Sequence, residues 1–339
     1  MNDRTETSEQ GTASLPLIEV RELTRYFPLK QSLLDFAARR PVKYLRAVDN
    51  VSFGIDQGET MGLVGESGCG KSTLARTIIR LYDPQKGKIL FRGRDITGLQ
   101  GAELRAMRRE FQIVFQDPYS SLNPRMSVYD MLSEILRVHK ICSPKEIPAR
   151  VLELLERVGL NAQCMNRFAS EFSGGQRQRI GIARALALSP EFIIADEPVS
   201  ALDVSIQAQI INLLNDLQKQ LGLTMLFISH DLRVVRCITH RVAVMYLGKI
   251  VETGDTDQVF THPRHPYSRV LTRSAPMLDP RKKTRGCAIG GELPNPINVP
   301  PGCRFHPRCE FAREKCRTEE PPFLEISTGR RVSCHYPLN

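Results

Sequence analysis

The most constraining feature of the sequence is a glycine-rich stretch at residues 65–72, GESGCGKS, which satisfies the pattern G-x-x-x-x-G-K-[ST]. The apolar run Thr60–Val64 predicts a strand before it, and residues 72–81 predict a helix after it. A phosphate-binding loop needs that context, because its glycines let backbone N–H groups surround phosphate oxygens and the helix N-terminus adds further donors. The chain is therefore predicted to contain a nucleotide-binding α/β domain.

Several residue types in this loop have a chemical task in phosphate binding. Lys71 is expected to reach the β- and γ-phosphates, and the Ser72 hydroxyl is expected to ligate Mg²⁺. Cys69 is expected to be no more than a small tolerated side chain. The predicted ATP-binding residues of this segment are Gly65, Ser67, Gly68, Gly70, Lys71, Ser72 and Thr73.

Two adjacent carboxylates follow a second apolar run. Residues 192–195 predict a buried strand that delivers Asp196 to the edge of the sheet. There Asp196 can hold the Mg²⁺ shell, and Glu197 can orient and deprotonate the attacking water of phosphoryl transfer. An Asp-Glu pair after a strand is by itself a common surface ending, and it is the phosphate loop that favours the catalytic interpretation.

The rest of the chain alternates strands with helices. Apolar runs at residues 111–115 and 224–228 predict strands, and residues 206–221 predict a helix with one apolar face. This alternation is typical of an α/β fold, in which a mainly parallel sheet carries helices on its faces. Helical periodicity at residues 126–160 predicts a helical insert at about 116–172.

The chain is predicted to have three parts. Residues 1–16 are expected to be a flexible tail, residues 17–260 a nucleotide-binding domain, and residues 261–339 a Cys-rich C-terminal extension. The second boundary rests on the change of composition after Phe260 and on four prolines within residues 293–301.

A second glycine-rich helix start lies at residues 172–179, FSGGQRQR, and opens a predicted helix over residues 176–187. A glycine-rich helix start is an anion site, yet the chain has a single ATP-sized phosphate loop. Dimerisation would explain this second anion site, because the nucleotide could come from another chain. We expect this helix start to face the γ-phosphate bound on a partner chain.

With these motifs in order, residues 18–260 resemble the ABC transporter ATPases. The resemblance implies a RecA-like P-loop core with an antiparallel β subdomain and a helical insert. Residues Ser173, Gly174, Gly175 and Gln176 are similar to that family's signature motif, with Phe172 in the usual leucine position.

The same resemblance implies roles for four further residues. Gln116 matches the glutamine that touches Mg²⁺ or the attacking water, and Asp203 ends the D-loop sequence SALD. His230 matches the switch histidine that contacts the γ-phosphate. Phe27 stands where the family places an aromatic residue that stacks on adenine, with the adjacent Tyr26 as the alternative.

The sequence after residue 260 resembles the ATPases of dipeptide and oligopeptide importers. The similarity lies in THPRHPY at 261–267, GELP at 291–294 and PPGCRFHPRC at 300–309. This resemblance implies an ATP hydrolase at the cytoplasmic face of the membrane, paired with a second homologous ATPase subunit. It also implies two membrane permease subunits and a substrate-binding protein. Similar ATPases serve nickel, glutathione and oligosaccharide importers, which stay open as alternatives.

Four of the nine cysteines lie late in the chain. Four thiolates suit an iron–sulfur cluster or zinc, and the x5, x6 and x17 spacings leave Fe–S, zinc and free thiols open. The importer resemblance implies a [4Fe–4S] cluster, with Cys287 as a spare ligand. Cys142, Cys164 and Cys237 are expected to be small buried residues. The implied ligands are Cys303, Cys309, Cys316 and Cys334.

The chain carries a net charge of +10, and the excess is concentrated at its two ends. A basic surface can suit nucleic acid or an anionic membrane, or it can be dispersed and solvated. No apolar run approaches the roughly 18 residues of a membrane span, and the polar first 15 residues do not resemble a signal peptide. We therefore expect a cytosolic protein. The importer resemblance implies that it meets the membrane through its partners and binds no nucleic acid, with a soluble nucleic-acid-associated ABC ATPase as the alternative.

Overall fold

Two sheets organise the computed structural model, which describes residues 15–29, 31, 41–117, 122–274 and 295–339. Most of the predicted N-terminal tail, the GELP sequence at 291–294 and Cys287 lie outside these residues. The strands, numbered in chain order, are β1 (Ile18–Pro28), β2 (Tyr44–Ile55), β3 (Thr60–Val64), β4 (Lys86–Phe91), β5 (Arg94–Asp95), β6 (Phe111–Val114), β7 (Phe192–Asp196), β8 (Thr224–Ile228), β9 (Arg241–Tyr246), β10 (Lys249–Asp255), β11 (Leu324–Ser327) and β12 (Arg330–Val332).

The helices of the described residues are also numbered in chain order. Short 3-10 turns lie at Ala162–Cys164, Ala169–Glu171 and His306–Arg308. The α-helices are α1 (Lys71–Ile78), α2 (Gly101–Glu110), α3 (Val128–Val138), α4 (Ile147–Arg157), α5 (Gly174–Leu186), α6 (Val204–Leu221), α7 (Leu232–Ile238), α8 (Thr256–Thr261), α9 (Pro266–Ser274) and α10 (Glu314–Thr318).

The larger sheet has eight strands in the order β11-β12-β10-β9-β3-β8-β7-β6. Strands β9, β3, β8, β7 and β6 run parallel, which confirms the predicted parallel sheet. Every residue of β3, β7 and β8 is buried. Because helices and the smaller sheet cover both faces of these strands, their sequences are continuous apolar runs. Because β3 and β7 run parallel, their carboxyl ends place the phosphate loop and Asp196 at one edge of the sheet.

The smaller sheet is antiparallel, in the order β2-β1-β4-β5. Its apolar residues share a core with α1 and with one face of the larger sheet, through Ile18, Ile55, Leu74 and Ile228. This arrangement sets β1 and β2 beside the phosphate loop. It matches the antiparallel β subdomain that the family resemblance implies.

Helix α1 is shorter than the predicted helix over residues 72–81, because a Schellman motif ends it at Ile78. Arg80 takes the left-handed conformation, with φ of 57°, that glycine usually fills. The N–H groups of Arg80 and Leu81 donate to the carbonyls of Thr77 and Arg76 at 3.1 and 2.8 Å. The Arg80 guanidinium also donates to the carbonyls of Ile96 and Leu99.

The predicted helical insert is built from α3 and α4, which pack on each other and on α5. Helix α3 begins at an N-cap, because the Ser127 hydroxyl accepts from the Asp130 N–H at 3.1 Å. The predicted apolar faces are confirmed by the burial of Leu132 and Leu136 on α3 and of Val151 and Leu155 on α4. The insert shares one continuous core with β7, β8 and α6.

Residues 295–339, here named the C-terminal segment, join the larger sheet. Strand β12 pairs antiparallel with β10, matching Glu252 with Val332 and Thr253 with Arg331. The carboxylate of Glu252, fully buried, accepts from Arg330 at 2.7 Å and from the backbone N–H of His265 at 2.9 Å. Strands on both sides of residue 260 thus share one sheet, which sequence reasoning missed, and a domain boundary at 260 stays a prediction.

Candidate nucleotide site

The phosphate loop connects β3 to α1, and two of its glycines are sterically required. A Cβ atom on Gly70, whose φ is 111°, would lie 2.0 Å from the carbonyl oxygen of Ala47. A Cβ on Gly65 would lie 2.2 Å from the carbonyl oxygen of Met245. The close approach of β2 and β9 to the loop thus excludes larger residues at both positions.

Lys71 opens helix α1 with its side chain buried inside the curve of the loop. It is 5% exposed, and its Nζ donates to the carbonyls of Gly65 and Glu66 at 2.8 and 3.0 Å. Cys69 is also buried, and burial raises the pKa of its thiol, so the side chain is neutral and fills space. The ammonium group therefore stands where phosphate oxygens can replace the two carbonyls as stronger, charged acceptors.

Ser72 and Asp196 meet across the edge of the sheet, as the sequence predicts. The Ser72 hydroxyl donates to Asp196 Oδ1 at 2.9 Å. Asp196 is 1% exposed, and this burial raises the pKa of its carboxyl. A divalent cation at this carboxylate would favour its charged form, and the hydroxyl and carboxylate oxygens are hard ligands of the kind that Mg²⁺ prefers.

The three predicted catalytic residues converge on one carboxylate oxygen. Glu197 Oε2 accepts from Gln116 Nε2 at 3.0 Å and lies 3.3 Å from His230 Nδ1. Glu197 has a left-handed backbone with φ of 48°, and its N–H donates to the Ile228 carbonyl at 3.0 Å. Strain of this kind persists only where the surroundings enforce it, and it clusters at functional sites. Here the ends of β7 and β8 enforce it.

These elements surround an open pocket. The pocket includes six residues of the phosphate-loop segment, among them Thr73, and all three predicted catalytic residues. It also includes Pro296 of the C-terminal segment, whose carbonyl accepts from the Arg46 N–H at 3.3 Å. Its lining residues are Leu45, Ala47, Ser67, Gly68, Gly70, Lys71, Ser72, Thr73, Gln116, Glu197, His230 and Pro296.

Comparison with known proteins decides the family. Residues 48–200 match the ABC transporter family, and residues 251–316 match the C-terminal region of oligopeptide/dipeptide transporters. A probable peptide ABC transporter ATP-binding protein, y4tS of Sinorhizobium fredii, is 51% identical over 94% of this chain and 89% of its own length. The oligopeptide transport ATP-binding protein AppF of Bacillus subtilis is 50% identical over 94% of this chain and 97% of its own. The chain belongs to the ABC transporter ATP-binding proteins.

A solved structure supports the assignment of this chain to the ABC ATPases. The ATP-binding cassette MJ0796, a dimer in a post-hydrolysis state bound to ADP and Pi, is 30% identical with a TM-score of 0.60. The match covers 70% of this chain and 98% of MJ0796. In the described part of the ABC protein, no helix is both long and apolar enough to cross a membrane.

The predicted adenine-stacking residues of the ABC protein lie apart from the pocket lining. The Phe27 ring packs edge-on against Tyr82, with centroids 5.4 Å apart, and the Arg25 guanidinium lies 4.7 Å from the Phe27 centroid. The Tyr26 hydroxyl donates to Asp49 at 2.7 Å. Among the described residues, the pocket is lined near β2 by Leu45, Ala47 and Pro296. No motif in the sequence indicates these three residues.

The signature motif of the ABC protein forms the start of α5, outside the pocket lining described above, with Ser173 exposed, Gly174 and Gln176 half-buried and Gly175 buried. Ser173 and Gln176 form a reciprocal capping box, with N–O distances of 3.4 and 3.1 Å. A Cβ on Gly175 would lie 2.4 Å from Ile206 Cγ2, so glycine permits the close packing of α5 on α6. Asp203 is exposed at the N-cap of α6. The expectation that these residues act on a partner's nucleotide stays a prediction.

The four late cysteines come together although they span 32 positions of sequence. Cys303, Cys309, Cys316 and Cys334 line one small cavity beside Phe305. Burial, and secondarily the other thiols, raise the pKa of Cys303 to about 11 and that of Cys334 to about 12. Among the described residues, no three or more His, Cys, Asp or Glu side chains are arranged to hold a metal ion.

The other cysteines of the described residues lie outside this cavity. Cys164 is buried, which agrees with the expectation, and Cys142 is half-buried against the main core. Cys237 is exposed on α7, so its expected burial is wrong. The helical spacing places it on the side of α7 that faces away from β3, opposite the buried Val235.

Proposed function

We propose that this chain hydrolyses ATP to power the import of di- or oligopeptides. The observation that carries the proposal is the meeting of Gln116, Glu197 and His230 at one oxygen beside the phosphate loop. The peptide cargo is supported by the names of the relatives y4tS and AppF and by the matched C-terminal region.

The geometry supports a direct assignment of roles in hydrolysis. Glu197 orients a water and takes its proton as the water oxygen attacks the γ-phosphorus, while the bond to the β–γ bridging oxygen breaks and ADP leaves. Lys71 binds the β- and γ-phosphates, and His230 contacts the γ-phosphate. Ser72, Asp196 and Gln116 would hold Mg²⁺, which neutralises charge on the phosphate oxygens when bound.

The site needs a second ATPase subunit, a homologous chain in the proposed heterodimer. Ser173, Gly174, Gly175 and Gln176 would face the γ-phosphate bound on that subunit, beside Asp203. The α5 N-terminus, whose N-cap Ser173 is exposed, supports this arrangement, because its N–H groups and dipole favour an anion. ATP then closes the dimer, and loss of the γ-phosphate lets it open.

As a member of an ABC transporter family, the chain works with membrane components. We place it on the cytoplasmic face, bound to two permease subunits that receive peptide from an extracytoplasmic binding protein. The face between the core and the α3–α4 insert, next to Gln116, would receive short helices of the permeases. No nucleic-acid partner enters this assignment.

The [4Fe–4S] cluster stays part of the proposal, with the four cavity cysteines as its ligands. Their shared cavity supports a four-thiol donor set, although in the arrangement described they would have to draw together to hold a metal. Iron and acid-labile sulfide, measured on anaerobically purified protein together with visible absorbance, test it. Stoichiometric zinc without iron, or neither metal, would overturn it.

Peptide import is tested by reconstituting the chain with its permeases, partner ATPase and binding protein in proteoliposomes. We expect ATP-dependent uptake of labelled di- or oligopeptides, lost when Lys71→Ala replaces the native chain. Lys71→Ala is the matched control because it removes the phosphate-binding ammonium and keeps the fold of α1. ATP-dependent uptake of nickel, glutathione or an oligosaccharide, with none of peptide, would overturn the cargo assignment.

A further inference from the structure

The C-terminal segment reaches the phosphate loop through a buried arginine. Arg308, in the 3-10 turn His306–Arg308, donates from Nη1 and Nη2 to the two carboxylate oxygens of Glu66 at 2.9 and 3.0 Å. The Arg308 side chain is 6% exposed and that of Glu66 20%. Two parallel charge-assisted hydrogen bonds fix both position and orientation, and partial burial shields the pair from solvent screening.

Glu66, the second residue of the phosphate loop, is held on three sides. Arg308 binds its carboxylate, the Tyr267 hydroxyl accepts from its N–H at 2.9 Å, and Lys71 Nζ donates to its carbonyl at 3.0 Å. The same residue thus connects the C-terminal segment to the ammonium group that must bind phosphate. Its position determines how the loop presents Lys71.

A buried aromatic cluster supports this arginine. The rings of Tyr246, Tyr267 and Phe305 have centroids 4.6 to 5.4 Å apart and are 0–2% exposed. Arg308 Nη1 also donates to the Tyr246 hydroxyl at 3.4 Å. Since Tyr246 ends β9 and Phe305 belongs to the C-terminal segment, the arginine is anchored from both the core and the segment.

The C-terminal segment touches the other side of the pocket as well. Arg304 pairs with Asp49 of β2 and donates to the Leu247 carbonyl. Pro296 lines the pocket itself beside Leu45 and Ala47. The segment therefore contacts the nucleotide site at its phosphate loop and at β2.

We propose that Arg308 is a positioning residue of the nucleotide site, through which the C-terminal segment holds the phosphate loop in its ATP-binding form. Without Arg308, the Glu66 carboxylate would be an uncompensated negative charge on the phosphate loop itself, which would disfavour the binding of a triphosphate there. The inference rests on the ATP site proposed above and gives the C-terminal region a role in it.

The test measures the Kd for MgATP by calorimetry on full-length chains carrying Glu197→Gln, which prevents turnover. Arg308→Ala should weaken binding about tenfold, the usual worth of a charged hydrogen-bonded pair. The Kd of Arg308→Lys for MgATP should lie between that of Arg308→Ala and that of the parent chain. Glu310→Gln, which breaks an ion pair of the same segment with Arg269, is the matched control and should bind as the parent.

The deciding variant is Glu66→Gln combined with Arg308→Ala, which removes the competing carboxylate. We expect this double variant to recover most of the lost affinity. In chains with native Glu197, we expect Arg308→Ala alone to raise the KM for ATP and to leave kcat little changed. A folded Arg308→Ala chain that binds within twofold of the parent would overturn the proposal, as would a double variant as weak as the single one. If the parent chain binds no MgATP, the proposed ATP site itself fails, which is a distinct outcome.

Discussion

Two helix starts of this chain carry glycine-rich anion motifs, yet only the first is enclosed by its own chain. The start of α1 holds the buried Lys71 and lies against Asp196. The start of α5 is capped by its own Ser173 and Gln176, and its N-cap Ser173 is exposed. The difference is that α1 lies inside the pocket of its own chain, whereas α5, under the proposal above, would need a partner chain to complete a site.

The largest effect is expected at the carboxylate that serves the enclosed site. Glu197→Gln should lower ATP hydrolysis about 10²–10⁴-fold, the usual contribution of a general base, while MgATP binding is retained. Phosphate release and calorimetric Kd together check this. Glu134→Gln, at an exposed carboxylate of α3, is the control and should hydrolyse at the native rate. Native turnover by Glu197→Gln would show that the base assignment is wrong.

The exposed helix start is tested by Ser173→Asp. Aspartate is as good an N-cap as serine, so the helix should keep its stability, but the added charge would face the γ-phosphate on the partner. We expect hydrolysis by the assembled ATPase pair to fall about 10²-fold, as when a transition-state donor is lost, with MgATP affinity of the isolated chain unchanged. Full activity of the pair would mean that α5 does not face a nucleotide.

A stability effect separates the packing of α5 from its chemistry. Gly175→Ala places a methyl group 2.4 Å from Ile206 Cγ2 and should cost about 1–3 kcal/mol of unfolding free energy through overpacking. Gly181→Ala, on the same helix with nothing within 4 Å of its Cβ, is the control and should be neutral or stabilising. Chemical denaturation checks both. Equal stability of the two variants would contradict the close α5–α6 packing.

The smallest effect leaves both helix starts unchanged and concerns the attachment of the C-terminal segment. Burial lowers the pKa of His265 to about 3, so the folded chain keeps it neutral where the unfolded chain, with a pKa near 6.5, binds a proton. Its contribution is therefore complete above pH 6.5 and is lost as the pH falls toward 3. Between pH 6.5 and 5.5 the loss should be about 1 kcal/mol.

Denaturation at pH 7.5, 6.5 and 5.5 measures this contribution. His265→Gln should flatten the fall of stability below pH 6.5, whereas His262→Gln, at an exposed histidine, should leave the slope as it is. Identical slopes for the native chain and His265→Gln would contradict the buried neutral imidazole.

The enclosed site could be predicted from sequence because its parts are local. The phosphate loop follows β3 directly, Asp196 ends β7 and Glu197 follows it, and the parallel sheet brings the strand ends together. Gln116 and His230 were found by family resemblance, since an isolated Gln or His has no local pattern. The contact between Glu66 and Arg308 spans 242 positions and has no motif, so only the fold reveals it. The early end of α1 also could not be predicted, because Arg80 takes the left-handed backbone conformation that glycine usually takes, and the sequence has no glycine there to mark it.

Completion of one chain's pocket by the α5 start of another is tested most directly by light scattering, which measures the mass of the Glu197→Gln chain mixed with its partner ATPase subunit. We predict a dimer with MgATP, monomers with MgADP, and no dimer with MgATP when the chain also carries Ser173→Asp. Full MgATP occupancy without association, or association unaffected by Ser173→Asp, would contradict it.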